Sequence, residues 1–477
     1  MSTDATTTCP NCQQLQAQLD TLQAQVATLQ ITIIQLQQQL ATARKDSSTS
    51  SKPPSSDIVK PPKPSPPPGQ DKRRIGGQPG HPKAERSLFP PEQVNGGVHD
   101  HFLELCPACG HGLQATPATP RVVQQIDIHE VPLSITEHRA HAGSCPHCQA
   151  VRYSPLPPEI EHGGLVGPYL TALIAYLKGP CHASYSTTRK FLRDVVQVTI
   201  SRGQLAKVIT KVTRALDRPY AELLEALPTQ TRLNVDETGH KQNGELMWTW
   251  CFRASLYTLF KLDPTRKAEV LIHVLGQEFD GVLGCDYFSS YRRFLRTCGV
   301  AVQFCLAHLI RDVKYLTTLP DARDRAYGER LRAALRQMFG VIHRREQLPA
   351  SEFQSQLEAA RAEVMRCGTQ EVPPTKSSRN LAKRFATHGE SYFRFVTTPG
   401  VEPTNNLAEQ AIRFVVLDRV VTQGTRSIGG NRWCERIWTV IATCCQQGRS
   451  VFSYLYAAVE ASFHQREAPS LLPAPGA

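Results

Sequence analysis

Two aspartates in this sequence come directly after short segments that have the character of strands. Asp236 follows TRLNV, which ends in an apolar β-branched residue, and Asp286 follows GVLGC. Short apolar runs of this kind predict buried strands, and the end of a strand holds a carboxylate rigidly. Carboxylate oxygens are the ligands that hard cations such as Mg²⁺ prefer. The two aspartates are therefore candidates for a magnesium site.

A third acid is expected on a helix that faces these strands. In PTNNLAEQAIR, Thr404 or Asn405 is suited to cap a helix. Glu409 would then lie one turn in, with Arg413 four residues further along the same face. Glu409 and Arg413 could equally form only a surface ion pair, worth about 0.3–0.5 kcal/mol. Any one of the three acids has rivals in the sequence: Glu237, Asp280, Asp312 and Glu402.

Three clustered carboxylates suit phosphoryl transfer. Two metal ions about 3.5–4 Å apart can activate the attacking oxygen and stabilise the leaving one. The region after Pro228 offers a fold for such a site: three adjacent strand-like runs, a helix near 265–275, the strand before Asp286, the strand VAVQFC and the helix LAHLIRDVKYL. This order predicts an RNase H-like α/β core, with a mostly helical insertion at about 320–395 before the helix of Glu409.

Cysteine spacing indicates a second kind of metal site upstream. Two Cys-x-x-Cys pairs flank the alternating segments VVQQIDI and LSITEHRA, which predict a short hairpin. Four thiolates on tight turns are the tetrahedral ligand set of a structural Zn²⁺, although His111 or His147 could replace one of them. The predicted zinc ligands are Cys106, Cys109, Cys145 and Cys148.

The N-terminal segment has the pattern of a coiled coil. Apolar residues from Leu15 to Leu40 alternate at spacings of four and three, which favours a parallel dimer. A helix lying on its own domain is the alternative. The Pro/Ser-rich basic stretch that follows predicts an extended linker. Its Arg73 and Arg74 could contact DNA, or the stretch could act only as a spacer.

Positive charge is concentrated in a helical region between the zinc module and the core. The chain carries a net charge of +12, and eight basic residues against one acidic residue lie between 166 and 215. A polyanion is the natural partner of such a surface. Two helices joined at QVTI, with Ser201 as the cap of the second, predict a helix-turn-helix that contacts DNA through Arg202, Lys207 and Lys211. Structural helices with a basic outer face are the alternative.

Other classes of protein are disfavoured. No signal peptide and no apolar stretch of about 18 residues is present, so we expect a cytoplasmic protein with no membrane partner. In a reducing compartment the 15 cysteines are not expected to form a disulfide framework.

Taken together, several motifs make the sequence recognisable. They are SSTSSKPPSSD, GGQPGH, the two cysteine pairs, VDETG, GVLGCDYFSSY, CLAHLIRD, PTNNLAEQAIRFVV and the C-terminal GNRWCERIWTVIATCCQQGRSVFSYL. With them the chain resembles, over nearly its whole length, the insertion sequence 66 family of bacterial DDE transposases.

That resemblance implies roles for particular residues and partners. Asp236, Asp286 and Glu409 would bind Mg²⁺ (or Mn²⁺), with His308 and Arg413 as supporting residues. The implied partners are DNA, as terminal inverted repeats and as target, and accessory proteins of the same element. The protein would then be bacterial and associated with the nucleoid, and a homodimer or larger assembly.

The expected organisation is a multidomain α/β chain. Its predicted parts are a coiled coil (1–45), a basic linker (46–98), a zinc-binding module (99–160), a helical DNA-binding region (161–227), an RNase H-like catalytic domain (228–425) and a C-terminal helical segment (426–477). The expected activity is DNA strand cleavage and transfer. The alternatives are a structure-selective nuclease and a zinc-dependent DNA-binding regulator with an inert acidic domain.

Overall fold

The structure is a computed structural model that describes residues 10–46, 133–144, 151–153, 155–161 and 165–473, together with 49, 88, 90–94, 98 and 122. The chain divides into two compact units. One comprises Met1–Pro61, His138–Asp194 and Val198–Ala477, and the other comprises Pro62–Glu137 and Val195–Gln197. The second unit contains a short 3₁₀ helix, Pro91–Gln93. The strands and α-helices below belong to the first unit.

Helices account for most of the regular structure. In chain order they are α1 (Pro10–Ala43), α2 (Pro158–Glu161), α3 (Pro168–Lys178), α4 (Tyr185–Asp194), α5 (Arg202–Ala215), α6 (Asp217–Ala226), α7 (Ala268–Leu275), α8 (Ser289–Cys298), α9 (Leu306–Leu316), α10 (Ala322–His343), α11 (Ala350–Thr369), α12 (Lys376–Tyr392), α13 (Arg394–Thr397), α14 (Asn406–Thr422), α15 (Ile428–Gln446) and α16 (Val451–Phe463). Within the described ranges, no helix is both long and apolar enough to cross a membrane.

Helix α1 is a single helix of 34 residues. The leucines of its repeating pattern are exposed, including Leu15, Leu22, Leu29 and Leu36. An exposed apolar stripe with a 3.5-residue period is the surface that a second helix covers in a coiled coil. Pairing of two copies through α1 stays a prediction.

A two-stranded antiparallel ladder precedes the helical region. Its strands are β1 (Ala142–Ser144) and β2 (Val151–Tyr153). The predicted hairpin between the cysteine pairs is not seen in its second segment, 133–140, which forms no strand, and the ladder begins after it; most of the first segment lies outside the described residues. The four predicted zinc ligands lie outside the described residues.

A mixed five-stranded sheet forms the core. Its strands are β3 (Arg232–Gln242), β4 (Glu245–Arg253), β5 (Thr258–Asp263), β6 (Val282–Cys285) and β7 (Ala301–Phe304). The spatial order is β5-β4-β3-β6-β7, with antiparallel pairing among β3, β4 and β5 and parallel pairing among β3, β6 and β7. This arrangement is compatible with an RNase H-like core. The segment expected to be an insertion contains α10, α11 and α12.

The position of Asp236 corrects one expectation. It does not end a strand, because β3 continues to Gln242. The physical reason is that β3 has different neighbours on its two sides. Its antiparallel pairing with β4 extends to Gln242↔Glu245, whereas its parallel pairing with β6 stops at Asn234↔Gly284. Asp236 therefore lies just beyond the point where the parallel half of the sheet ends.

The edge of the sheet formed by β5 is covered by α15. Side-chain oxygens of Thr443, Thr439 and Glu435 accept hydrogen bonds from the backbone N–H groups of Thr258, Phe260 and Leu262 on β5, at 3.2, 3.0 and 2.8 Å. Four residues of helix rise about 6 Å, and two residues of strand about 6.6 Å. Every fourth residue of α15 therefore lies beside every second residue of β5. The edge strand is thereby closed to pairing with another strand.

Candidate active site

Asp236 lies on the face of β3 that meets α14. Alternate residues of a strand point to the same face. The two neighbours of Asp236 on that face both contact the helix or its start: Asn234 Nδ2 donates to Asn405 Oδ1 (3.0 Å), and Thr238 Oγ1 accepts from Arg419 Nη1 (3.0 Å). The carboxyl of Asp236 is thus held between the sheet and α14.

Asp286 follows β6 directly, as the sequence predicted. Its Oδ1 accepts a hydrogen bond from the backbone N–H of Phe288 (2.8 Å), which fixes the turn into α8. If the parallel register Asn234↔Gly284 is continued by two residues, Asp286 comes level with Asp236. Burial and the nearby charge of Glu237 raise the pKa of Asp286 to about 7.

Glu409 lies in the first turn of α14, and the residue that caps this helix behaves differently from the prediction. Asn405 occupies the cap position, but its side chain makes no capping hydrogen bond. Instead its Nδ2 donates to the carbonyl of Val235 (2.9 Å), while its Oδ1 accepts from Asn234. Asn405 is buried, so its amide ties the start of α14 to the strand residues that immediately precede Asp236.

The three predicted carboxyls lie within electrostatic reach of one another. Burial raises the pKa of Asp236 well above its usual range, and the charges of Glu237, Asp286 and Glu409 raise it further. Glu409 Oε1 is buried without a hydrogen-bond partner among the described residues. A group of carboxyl oxygens of this kind fits a hard divalent cation. The assignment as metal ligands stays a prediction.

The competing acids are either paired or exposed. Glu237 points to the opposite face of β3, where its carboxylate binds Arg266 Nε (2.6 Å) and the hydroxyl of Tyr291. Asp312 accepts a hydrogen bond from Arg384 Nη1 (2.6 Å). The other two, Asp280 and Glu402, are exposed. Glu237 nevertheless acts on both aspartates, since its charge raises the pKa of Asp236 and of Asp286.

His308 and an unexpected arginine lie beside Glu409. His308 Nδ1 is 3.6 Å from Glu409 Oε1, and burial lowers the pKa of His308 although Glu409 partly offsets this. Arg311 Nη2 lies 3.8 Å from Glu409 Oε2. The predicted Arg413 is exposed, and no ion pair joins it to Glu409 in the part of the chain that is described. The spacing of three between His308 and Arg311 in CLAHLIRD was the available signal, since it places both on one helix face.

The predicted DNA-binding residues divide into two groups. Arg202 and Lys207 are exposed on α5, whose cap is Ser201, with its side chain accepting from the N–H of Gln204. Lys211 is half-buried, with its Nζ 4.2 Å from the ring centre of Phe463 on α16. Lys211 therefore packs against α16. Arg73 and Arg74 lie outside the described residues.

Removing the Asn405 amide tests its role in holding the site. We expect Asn405→Ala to lower the free energy of unfolding by about 1–3 kcal/mol, because the half-buried Asn234 amide and the carbonyl of buried Val235 lose their partner. Urea unfolding measures the loss. Asn406→Ala, at the neighbouring exposed position, is the control and should change stability by less than about 0.5 kcal/mol. An equal loss in both variants would contradict the role given to Asn405.

The raised pKa of Asp286 predicts a pH-dependent stability. An unfolded aspartate ionises near pH 4, whereas folded Asp286 ionises near pH 7. Without divalent cations, ionisation therefore destabilises the folded protein progressively between these values. We expect Asp286→Asn to raise the melting temperature at pH 8 and to leave it nearly unchanged at pH 4. The exposed Asp280→Asn should have little effect at either pH. A shift of equal size at both pH values would refute the prediction.

Comparison with known families agrees with this arrangement. The model of the Transposase IS66 family matches residues 163–432, which is more than half of the chain and includes Asp236, Asp286 and Glu409. A second model, described as a family of unknown function (DUF6444), matches residues 5–87. No match is found among curated proteins. The chain belongs to the IS66 family of transposases.

Proposed function

We propose that this protein is a DDE-type enzyme that cleaves DNA strands at the ends of its own insertion sequence and joins them to target DNA. The observation that supports the proposal is the electrostatic proximity of Asp236, Asp286 and Glu409. They come from β3, from the residue after β6 and from α14. Burial raises the pKa of Asp236, and the charges of Glu237, Asp286 and Glu409 raise it further. Membership of a transposase family supports the same reaction and implies that the protein binds DNA.

The order and direction of the strands support an RNase H-like reading of the core. Three antiparallel strands are followed by two parallel ones, with β3 at the centre of the sheet. Asp236 therefore lies on β3 and Asp286 directly after the adjacent strand β6, both strands being fixed by pairing, and Glu409 lies on a helix. Rigid placement matters because phosphoryl transfer depends mainly on position and electrostatics.

Asp236, Asp286 and Glu409 would hold Mg²⁺ (or Mn²⁺). When bound, such ions supply electrostatic stabilisation of the attacking and leaving oxygens. The chain's own contribution is to gather three carboxyls whose charges repel one another, so that a dication is favoured over protons. Neutral His308 and the guanidinium of Arg311 lie on the side of Glu409 that faces α9, where they orient its carboxylate.

We extend the proposal to the surfaces that would engage DNA and a second copy. The exposed Arg202 and Lys207 of α5 would contact phosphates, since positive charge dominates this region. The exposed leucines of α1 would pair two chains, and the two cysteine pairs of the zinc module would hold Zn²⁺. Pairing two chains would help to bring two DNA ends together.

Single substitutions of the acids test the activity. Asp236→Asn, Asp286→Asn and Glu409→Gln should each slow Mg²⁺-dependent cleavage of a DNA carrying the element's end by about a thousandfold or more, which corresponds to about 4 kcal/mol of transition-state stabilisation. DNA binding should persist, because the DNA-binding surface is elsewhere.

The controls are the exposed acids, through Asp280→Asn and Glu402→Gln, which should cleave like the wild type. Substantial cleavage by Asp236→Asn would overturn the proposal. Cleavage without any joining of ends to target DNA would instead favour a nuclease.

The two lysines of α5 offer a matched test of DNA contact. Lys207→Ala should weaken binding and reduce the salt dependence by about one unit of log–log slope, because one phosphate contact is lost. Lys211→Ala should leave the slope unchanged and lower thermal stability instead, since Lys211 packs on Phe463. Equal slopes in Lys207→Ala and the wild type would assign α5 a purely structural role.

A further inference from the structure

Three side chains of different chemistry meet next to the carboxyl cluster. Cys305 is the cap residue of α9, His308 lies in the first turn of that helix, and Glu409 lies in the first turn of α14. One ligand atom from each lies within 4.8 Å of the ligand atoms of the other two. Two residues come from one short helix start and the third from a distant part of the chain, so the fold itself builds the cluster.

Two of these atoms are buried and lack ordinary partners. His308 Nδ1 and Glu409 Oε1 make no hydrogen bond within the described residues, and they lie 3.6 Å apart. Two members of the cluster are themselves buried: Cys305 is 2% exposed and His308 8%. Buried polar atoms are usually satisfied. A cation bound by both atoms would satisfy them at once.

The set of donors selects the class of cation. A thiolate, an imidazole and a carboxylate are ligands of Zn²⁺, whereas Mg²⁺ prefers oxygen alone. A tetrahedral Zn²⁺ with nitrogen and oxygen ligands at about 2.0–2.2 Å holds those two atoms about 3.4 Å apart. The observed 3.6 Å between His308 Nδ1 and Glu409 Oε1 is close to that value.

The backbone around the thiol is also fixed. The N–H of Asn405 donates to Cys305 Sγ (3.2 Å), and the N–H of Leu306 donates to the carbonyl of Pro403 (2.9 Å). The start of α9 is thereby held against the segment that leads into α14. The distance between Cys305 and Glu409 is set by the fold, which favours a site that exists before the ion arrives.

We propose that Cys305, His308 and Glu409 form a Zn²⁺ site that shares Glu409 with the carboxyl cluster. Binding would release the thiol proton of Cys305 to solvent and leave one position of the ion for water. An ion held there engages the oxygen of Glu409 that is otherwise unpartnered, so Zn²⁺ opposes the use of Glu409 with Asp236 and Asp286. This inhibitory consequence rests on the proposed function, but the binding site does not.

The first test counts bound ions in the full-length protein. After equilibration with Zn²⁺ and removal of the excess, elemental analysis should find one fewer Zn²⁺ per chain in Cys305→Ser and in His308→Ala than in the wild type. Co²⁺ in place of Zn²⁺ should show a thiolate charge-transfer band that is weaker in Cys305→Ser. Cys298→Ser, on α8 and outside the cluster, is the matched control.

Zinc held by other cysteines is common to all four proteins, so the difference isolates this site. Should Cys305→Ser fail to fold, His308→Ala provides the same count without altering the thiol. The site would be overturned if folded His308→Ala binds as many Zn²⁺ ions as the wild type. It would likewise be overturned if folded Cys305→Ser shows the same Zn²⁺ content and the same Co²⁺ band as the wild type.

The second test measures inhibition. Zn²⁺ added to Mg²⁺-dependent DNA cleavage should inhibit the wild type and Cys298→Ser at similar concentrations. Cys305→Ser should require at least about tenfold more Zn²⁺, in line with the usual effect of weakening a metal site. Equal sensitivity would overturn the inhibitory role. If the wild type does not cleave DNA in Mg²⁺, the proposed function fails, and the ion count still decides the site.

Discussion

The hydrogen bonds of one buried amide, Asn405, hold the candidate site together. Its side chain donates to Val235 and accepts from Asn234, and its backbone N–H donates to Cys305. A carboxamide is suited to this position because it both donates and accepts, whereas a carboxylate only accepts. Through Asn405 the central strand, the start of α9 and the start of α14 take fixed positions. Glu409 then follows within the same helical turn.

The hydrogen bonds of Asn405 hold the site together against the electrostatic repulsion of its carboxylates. Asp236, Asp286 and Glu409 are acids brought into a partly buried space, and Glu237 adds a fourth charge from the other face of β3. Glu237 is paired with Arg266 and accepts a hydrogen bond from Tyr291, whereas Glu409 has only the more distant Arg311 at 3.8 Å. The structure therefore keeps an unfavourable electrostatic arrangement, as sites that bind cations commonly do. Nearby donors of other chemistry, Cys305 and His308, widen the range of ions that such a cluster attracts.

Much of the core could be predicted from local sequence. The order of strands and helices, the position of Asp286 after β6 and the position of Glu409 one turn into α14 all follow from patterns within about ten residues. The continuation of β3 past Asp236 could not be predicted, because it depends on pairing with β4.

The same limit applies to individual side chains. Asn405 has the sequence signature of a helix cap, and only the neighbouring strand shows that its amide serves another purpose. The sequence predicts that Lys211 contacts DNA, whereas in the structure its ammonium group lies over the ring of Phe463 on α16. Arg311, and not Arg413, reaches Glu409 because α9 is held against the segment before α14. Coiled-coil pairing and the zinc module stay predictions.

The hydrogen bonds between α15 and β5 give this part of the chain an unusual sensitivity to length. Glu435, Thr439 and Thr443 are matched to alternate residues of β5 only because they are spaced by four. A residue inserted or removed between them would rotate the following part of the helix by about 100°, turning its oxygens away from the strand. Exposed residues of α15 can be replaced by other residue types. The number of residues between 435 and 443 must stay the same. In this helix, substitutions are therefore tolerated far more easily than insertions or deletions.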